Sequence, residues 1–518
     1  KFILTKIAVT ALGAVVCLKA QFTQTKRSPL MDKFTSDVLW RRTRMLAVAL
    51  SLLVLTFTSL AQTPPPSLVD PTLDVRPFVT GLVQPTTMAF IGNNDILVLE
   101  KASGKVQRVT NGSIAGTVLD LHVNSASERG LLGIALHPNF PQTPYVYLYW
   151  SESTTGADST DQGAVGLLGN RVDRYIWTGS SLSHDRDIAR LRSYQADFGQ
   201  PLRGNHNGGV LVFEENTPPG ELKKLYIFIG DVGRRGWLQN ILTPIVGFVP
   251  NDQFGGPEPD DTHLTGVVIR LNEDGTTPQD NPFYEYGAQV GGVVGANIQK
   301  IFSFGRRNSF GMAIDPYSGR LWLQENSDDA FDEMSLVEPG SNGGWTQIMG
   351  PVSRIAQFKE IEIARAGGLQ QNRWPPTSLA DTPREALQRL FNMPESRYRD
   401  PEFSWKFAVA PAGIGFMKGR NLGNQYDGDL FLGASRPTLA NGYLFRMKLN
   451  ASRRDFAHTD ARLADRVADN NDKFDILESE SLLFGRNFGV GTDIKTGPDG
   501  NLYVVSLSNG AIYQIFRR

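Results

Sequence analysis

The stretch "GNHNGGVLVF", residues 204–213, sets an imidazole between two amides and three glycines, just ahead of an apolar run. Glycine permits backbone dihedrals and close approaches that other residues resist. His206 is therefore placed in a loop able to present a general base to a pocket, and a neutral imidazole suits proton abstraction near pH 7. The plainer alternative is a turn histidine that bonds its own loop. A second stretch, "SDDAFDE" at residues 327–333, gathers oxygen donors within one turn, the chemistry that a hard cation such as calcium takes.

Chemistry of this kind needs a rigid frame, and the chain repeats one. An apolar strand, a turn of Pro, Asp, Asn or Gly, and an alternating aromatic and aliphatic strand recur at residues 85–109, 130–150, 207–231, 308–326, 413–435 and 491–516. Third strands follow in "GKVQRV", "NGYLFRMKL" and "GAIYQIF". A small sheet that must bury both faces does so against copies of itself arranged around an axis. The expected fold is all-β, a six-bladed β-propeller with loop and short helical insertions. The largest insertions are expected from "PDDTHLTG" through "NPFYEYG" and at the helical "PREALQRLFNMPESRY", building the mouth of a central pocket.

Composition narrows the partners. With 52 basic and 53 acidic residues the net charge is -1, so no general attraction to nucleic acid is expected and a small ligand is. The single cysteine, Cys17, leaves the folded body without a disulfide or a cysteine-based zinc site. Residues 1–30 are expected to be an extension absent from the working protein. Residues 31–61 read as a signal peptide: Arg41, Arg42 and Arg44 precede the apolar "MLAVALSLLVLTFTSLAQ", with small residues before a cut after Ala61. The expected location is periplasmic or secreted, with membrane contact only through this segment if it is retained. A Pro-rich spacer is expected at 62–75 and the propeller at 76–518.

The ordered set "ERGLLGIALHPNF", "NHNGG" with its strand ending in "IGD", "FGRRNSFGMAIDP", "ENSDDAFDEMSLVEPGSNGGW" and "GPDGNLYVVS" resembles the glucose/sorbosone dehydrogenase family, the soluble quinoprotein sugar dehydrogenases. The resemblance runs from about Leu82 to Arg518. It implies a six-bladed propeller, calcium, pyrroloquinoline quinone (PQQ), and oxidation of an aldose at its anomeric hydroxyl, with an external electron acceptor. It implies His206 as the base and Glu128 as a group facing the sugar. Arg307, Asn308 and Arg436 correspond to cofactor contacts, and the carbonyls of Ser327 and Asp328 to calcium ligands, with Asp329, Asp332 and Glu333 able to add charge or bind a second ion. One departure stands out: where the best-known members carry two arginines before "GPDG", this chain has Val490 and Thr492, with Arg486 upstream. Two other classes keep part of the pattern. One is a propeller binding module without redox chemistry, and the other a calcium-dependent lactonase-like hydrolase, in which metal polarises a carbonyl for attack by water.

Overall fold

The computed structural model describes residues 64–194, 204–218, 220–233, 264–365, 376–436, 439 and 441–518. The expected extension and signal segment, 1–61, lie outside these residues. Six sheets of four or five strands make a six-bladed β-propeller. Their first strands are Pro85–Gly92, Leu131–Leu136, Leu211–Phe213, Met312–Ile314, Pro411–Phe416 and Gly491–Thr496, one in each repeat read from the sequence.

Each blade forms because its second strand is apolar on both faces, as the middle of a sheet sandwiched between neighbours requires. The second strand of blade 3, Lys224–Ile229 ("KLYIFI"), is buried throughout. The cores lie between blades. Leu97 and Leu99 of blade 1 pack with Leu131 and Leu148 of blade 2, and Tyr226 and Phe228 of blade 3 with Leu321 and Leu323 of blade 4. Burying each such side chain contributes about 1.5–3 kcal/mol before entropy is set against it. Near the axis the first strands approach so closely that a Cβ on Gly415 would lie 1.8 Å from the Ile494 carbonyl oxygen.

The ring closes through the start of the described chain. Leu73–Thr80 pairs antiparallel with the last strand, Ala511–Arg517, completing blade 6. Ser67–Leu68 adds an edge strand to blade 5 by pairing with Leu483–Arg486. The stretch expected to be a spacer therefore supplies sheet from Ser67 onward, because two open blade edges offer its backbone partners.

The insertions differ from expectation in one place. The stretch from "PDDTHLTG" to "NPFYEYG" contains Val267–Asn272, the third strand of blade 3, so only its remainder is insertion. In blade 4 the chain leaves the sheet after Ala330–Val337 and returns at Phe403–Phe407. Between them lie helix Ile355–Arg365 and helix Pro383–Arg389. The second begins where its sequence says it should. Thr382 caps it by accepting from the Glu385 N–H at 3.2 Å, with Pro383 in the first turn. Ile355, Phe358 and Ile361 bury one face of the longer helix against Phe331, Trp345 and Ile348. No described helix is long and apolar enough to cross a membrane.

Candidate active site

In an antiparallel blade the entry to the first strand and the turn between the second and third lie at the same end. All the candidate residues come from such segments. Glu128 precedes blade 2, His206 precedes blade 3, and Arg307 and Asn308 precede blade 4. Asp231 follows the second strand of blade 3, and Ser327 and Asp328 follow that of blade 4.

His206 sits at φ 57°, a left-handed conformation that costs a non-glycine residue about 1–3 kcal/mol and is kept only where the surroundings hold it. They do so from two sides. The backbone N–H of His206 donates to Glu128 Oε2 at 2.6 Å, and its Nδ1 lies 2.5 Å from Asp231 Oδ1. Glycine at 230 is required, because a Cβ there would fall 2.5 Å from the His206 carbonyl oxygen and 2.7 Å from that of Arg307.

Asp231 organises the site. Its carboxylate also accepts from Trp345 Nε1 at 2.9 Å and from the Gly233 N–H at 2.8 Å, while its own N–H donates to the Arg307 carbonyl at 2.8 Å. Burial pushes its carboxyl up, but His206, the Arg307 charge and the Gly233 N–H outweigh burial and hold it below the usual carboxylate range. An ionised acceptor at Nδ1 makes Nδ1 the protonated nitrogen. Nε2 has no hydrogen-bond partner among the described residues.

Arg307 is fixed from several directions. Its backbone N–H donates to Glu325 Oε1 at 2.9 Å, Nη1 to the Asn326 carbonyl at 2.7 Å and Nη2 to Asp328 Oδ1 at 3.3 Å. Its guanidinium lies 5.2 Å from the centre of the Trp345 ring. Asn308 Nδ2 donates to the Glu128 oxygen that holds His206, at 3.2 Å. His206, Glu128, Arg307 and Asn308 thus form one connected group. Arg436 does not join it: its guanidinium lies 5.0 Å from the centre of the Tyr443 ring, and it makes no hydrogen bond to the other four. Arg486 lies 5.7 Å from the same ring.

The turn at 326–333 is divided in its roles. Asp332 is fully used in holding the backbone, accepting from Ser327 N and Oγ and from the N–H groups of Val409 and Ala410. It is a structural acceptor, not the spare charge that the sequence suggested. Ser327 is left with its carbonyl. Asp328 Oδ2, Asp329 Oδ2 and Glu362 Oε2 are buried with no hydrogen-bond partner. Burial and the charges of Asp328 and Asp329 push the Glu362 carboxyl up to about 8. The Lys473 ammonium supplies local compensation, donating to the Asp328 carbonyl at 2.8 Å and lying 2.5 Å from Asp329 Oδ1. Elsewhere, Asp173, His184 and Asp187 have ligand atoms within 4.8 Å of one another. Arg171 already occupies both of those carboxylates.

The first strands of all six blades line an axial cavity of about 470 Å³, to which Lys101, Ser127 and Glu128 also contribute. Val490 and Thr492 line it too, so the positions that the resemblance assigns to arginines present no charge. Lys101, in the cavity lining, donates to the carbonyls of Ser125 and Ser127 at 3.2 and 2.8 Å, in the loop that leads to Glu128.

Sequence reasoning missed Asp231, Trp345, Glu325, Lys101 and Lys473. Asp231 had a signal: a lone carboxylate directly after the buried run "KLYIFIG" needs a partner, and the unpaired chemistry nearby was that of His206.

The family model described as Glucose / Sorbosone dehydrogenase matches residues 82–353. Quinoprotein glucose dehydrogenase B of Acinetobacter calcoaceticus is 26% identical over 409 residues, covering 73% of this chain and 77% of its own length. The aldose sugar dehydrogenase YliI of Escherichia coli is 25% identical over 454 residues, covering 86% of this chain and 94% of its own. Among solved structures, the PQQ-bound form of the aldose sugar dehydrogenase from Streptomyces coelicolor matches with a TM-score of 0.51 at 20% identity, over 88% of this chain and 99% of that one, a likeness of fold.

Proposed function

This chain belongs to the glucose/sorbosone dehydrogenase family, and from that premise we propose that it is a PQQ-dependent dehydrogenase oxidising an aldose sugar at the anomeric hydroxyl. One observation supports the reading: the buried pair of Asp231 with His206, which lies in the loop that leads into the first strand of blade 3 and whose imidazole Nε2 we assign as the base. Nε2 accepts the hydroxyl proton while the C1–H bond gives up its hydrogen with the electron pair, and the C1–O bond becomes a carbonyl, yielding the lactone. Asp231 balances the positive charge that forms on the imidazole. Glu128, in the lining of the axial cavity, orients the sugar. When bound, PQQ would supply an electrophilic quinone carbonyl as the two-electron acceptor, to be reoxidised by an external acceptor.

The residues present fit both groups. Arg307 Nε and Asn308 Oδ1 are buried without partners, as polar atoms reserved for a ligand would be. Arg307 and Asn308 would hold the quinone end, and Arg436 at the same end of the propeller is the cation nominated for a cofactor carboxylate. Ser327 and Asp328 would hold calcium, with the unpartnered carboxylate oxygens nearby supporting a hard cation in that turn. Export of the mature chain, through the segment 31–61, belongs to the same reading.

Val490 and Thr492 favour a second reading, a binding module that shares the fold without the redox chemistry. Anaerobic titration of apoprotein with calcium and PQQ, followed by absorbance, separates the two. The dehydrogenase reading expects a saturable spectral change at one equivalent of PQQ, bleached by an added aldose. PQQ that stays free at every calcium concentration would overturn it.

A further inference from the structure

Helix Ile355–Arg365 carries an oddity on its buried face. Ile355, Phe358 and Ile361 lie on the side turned to the core, and beside them Glu362 is 1% exposed. A carboxylate on an apolar stripe is costly unless it serves something. Glu362 Oε1 accepts from the Asp329 N–H at 3.3 Å, which aims the side chain at the turn after the second strand of blade 4. Its other oxygen has no partner, and neither have Asp328 Oδ2 and Asp329 Oδ2. Three carboxylates thus face two cations, Arg307 and Lys473, and each keeps one bare buried oxygen.

We propose that Glu362 is a ligand, together with Asp329 and the carbonyls of Ser327 and Asp328, for a divalent calcium-type cation, and that the Lys473 ammonium holds the Asp328 carbonyl and Asp329 when the cation is absent. The proposal rests on the calcium site of the preceding section and adds a ligand from a helix inserted in this blade. Lys473 is itself the evidence that the place suits a cation. A main-chain carbonyl and a carboxylate already converge on its charge, and these are the donors that calcium takes. A monovalent ammonium leaves Asp329 Oδ2 and Glu362 Oε2 bare, whereas a divalent ion with six to eight ligands at about 2.3–2.6 Å has places for both. With Lys473 in place the three carboxylates do not converge within one ion's reach. Binding must therefore expel the ammonium and draw Glu362 and Asp329 inward, so lysine and metal compete.

Calorimetric titration of the full chain with calcium, without quinone, tests this. The parent is expected to bind one calcium. Glu362→Gln keeps the acceptor for the Asp329 N–H but cannot ionise toward the cation, and is expected to weaken binding at least tenfold. Lys473→Met removes the competitor and is expected to tighten binding severalfold. Near-ultraviolet circular dichroism in chelator reports whether each variant is folded, and if Glu362→Gln is not, Lys473→Met decides. A parent that binds with neither variant changing its affinity overturns this proposal alone. A parent that binds no calcium overturns both this proposal and the calcium site on which it rests.

Discussion

Replacing His206 with Gln is expected to slow single-turnover reduction of bound quinone by an aldose about 10²–10⁴-fold, the contribution typical of a positioned base. At 1.36 kcal/mol per tenfold this is about 2.7–5.4 kcal/mol of lost transition-state stabilisation. Quinone affinity is expected to change far less, because Arg307 and Asn308 remain anchored through Glu325, Asn326 and Glu128. Stopped-flow absorbance measures the first quantity and equilibrium titration the second. Gln is the better substitution than Ala for a reason visible only in the fold. A loop histidine read from sequence is expected to contribute little to stability, yet this one is 3% exposed and bonded to a buried carboxylate. Removing the ring without an isosteric donor strips Asp231 of one partner and costs about 1–3 kcal/mol. Reduction at the parent rate in folded His206→Gln would remove the mechanism.

Asp231→Asn is expected to lower the same rate by about 10²-fold or more while preserving shape. The carboxylate does two things that an amide cannot: it accepts only, which fixes the proton on Nδ1 and the lone pair on Nε2, and its charge offsets the imidazolium as it forms. An amide can rotate to donate to Nδ1, leaving Nε2 protonated and unable to act. His206, Arg307 and the Gly233 N–H keep the carboxyl below the usual carboxylate range, so it is charged at neutral pH and the comparison with Asn is one of charge against no charge. The check is the single-turnover rate at saturating aldose, with the melting temperature measured alongside. A folded variant within a factor of two of the parent would show that Asp231 only packs.

The repeats made the propeller legible because each blade writes the same local grammar, and the first two strands of all six fall where that grammar put them. What the grammar does not carry is pairing over distance. Leu73–Thr80 closes the ring with strands from the opposite end of the chain, and nothing within "LDVRPFVT" says so. The third strand of blade 3 was hidden among the turn residues that flank it. In the site, His206, Glu128, Arg307 and Asn308 were found by order of motifs and do meet. Their supports were not found, since Asp231 and Trp345 stand 114 residues apart and come together only through two blades and an insertion. Arg436, a basic residue at a matching place in the order, lies beside Tyr443 and outside the bonded group of the other four, a placement that order alone does not give. Lys473 lay in a charged loop with no local feature to set it apart from solvent-facing lysines.

The chemistry at C1 can be observed directly. Protein loaded with PQQ and calcium, mixed anaerobically with an aldose carrying deuterium at C1, should reduce the quinone severalfold more slowly than with the protiated sugar, and His206→Gln should slow both. Loaded protein that the sugar leaves oxidised, or that is reduced at one rate by both isotopologues with and without His206, would contradict hydride transfer from an anomeric carbon whose hydroxyl this histidine deprotonates.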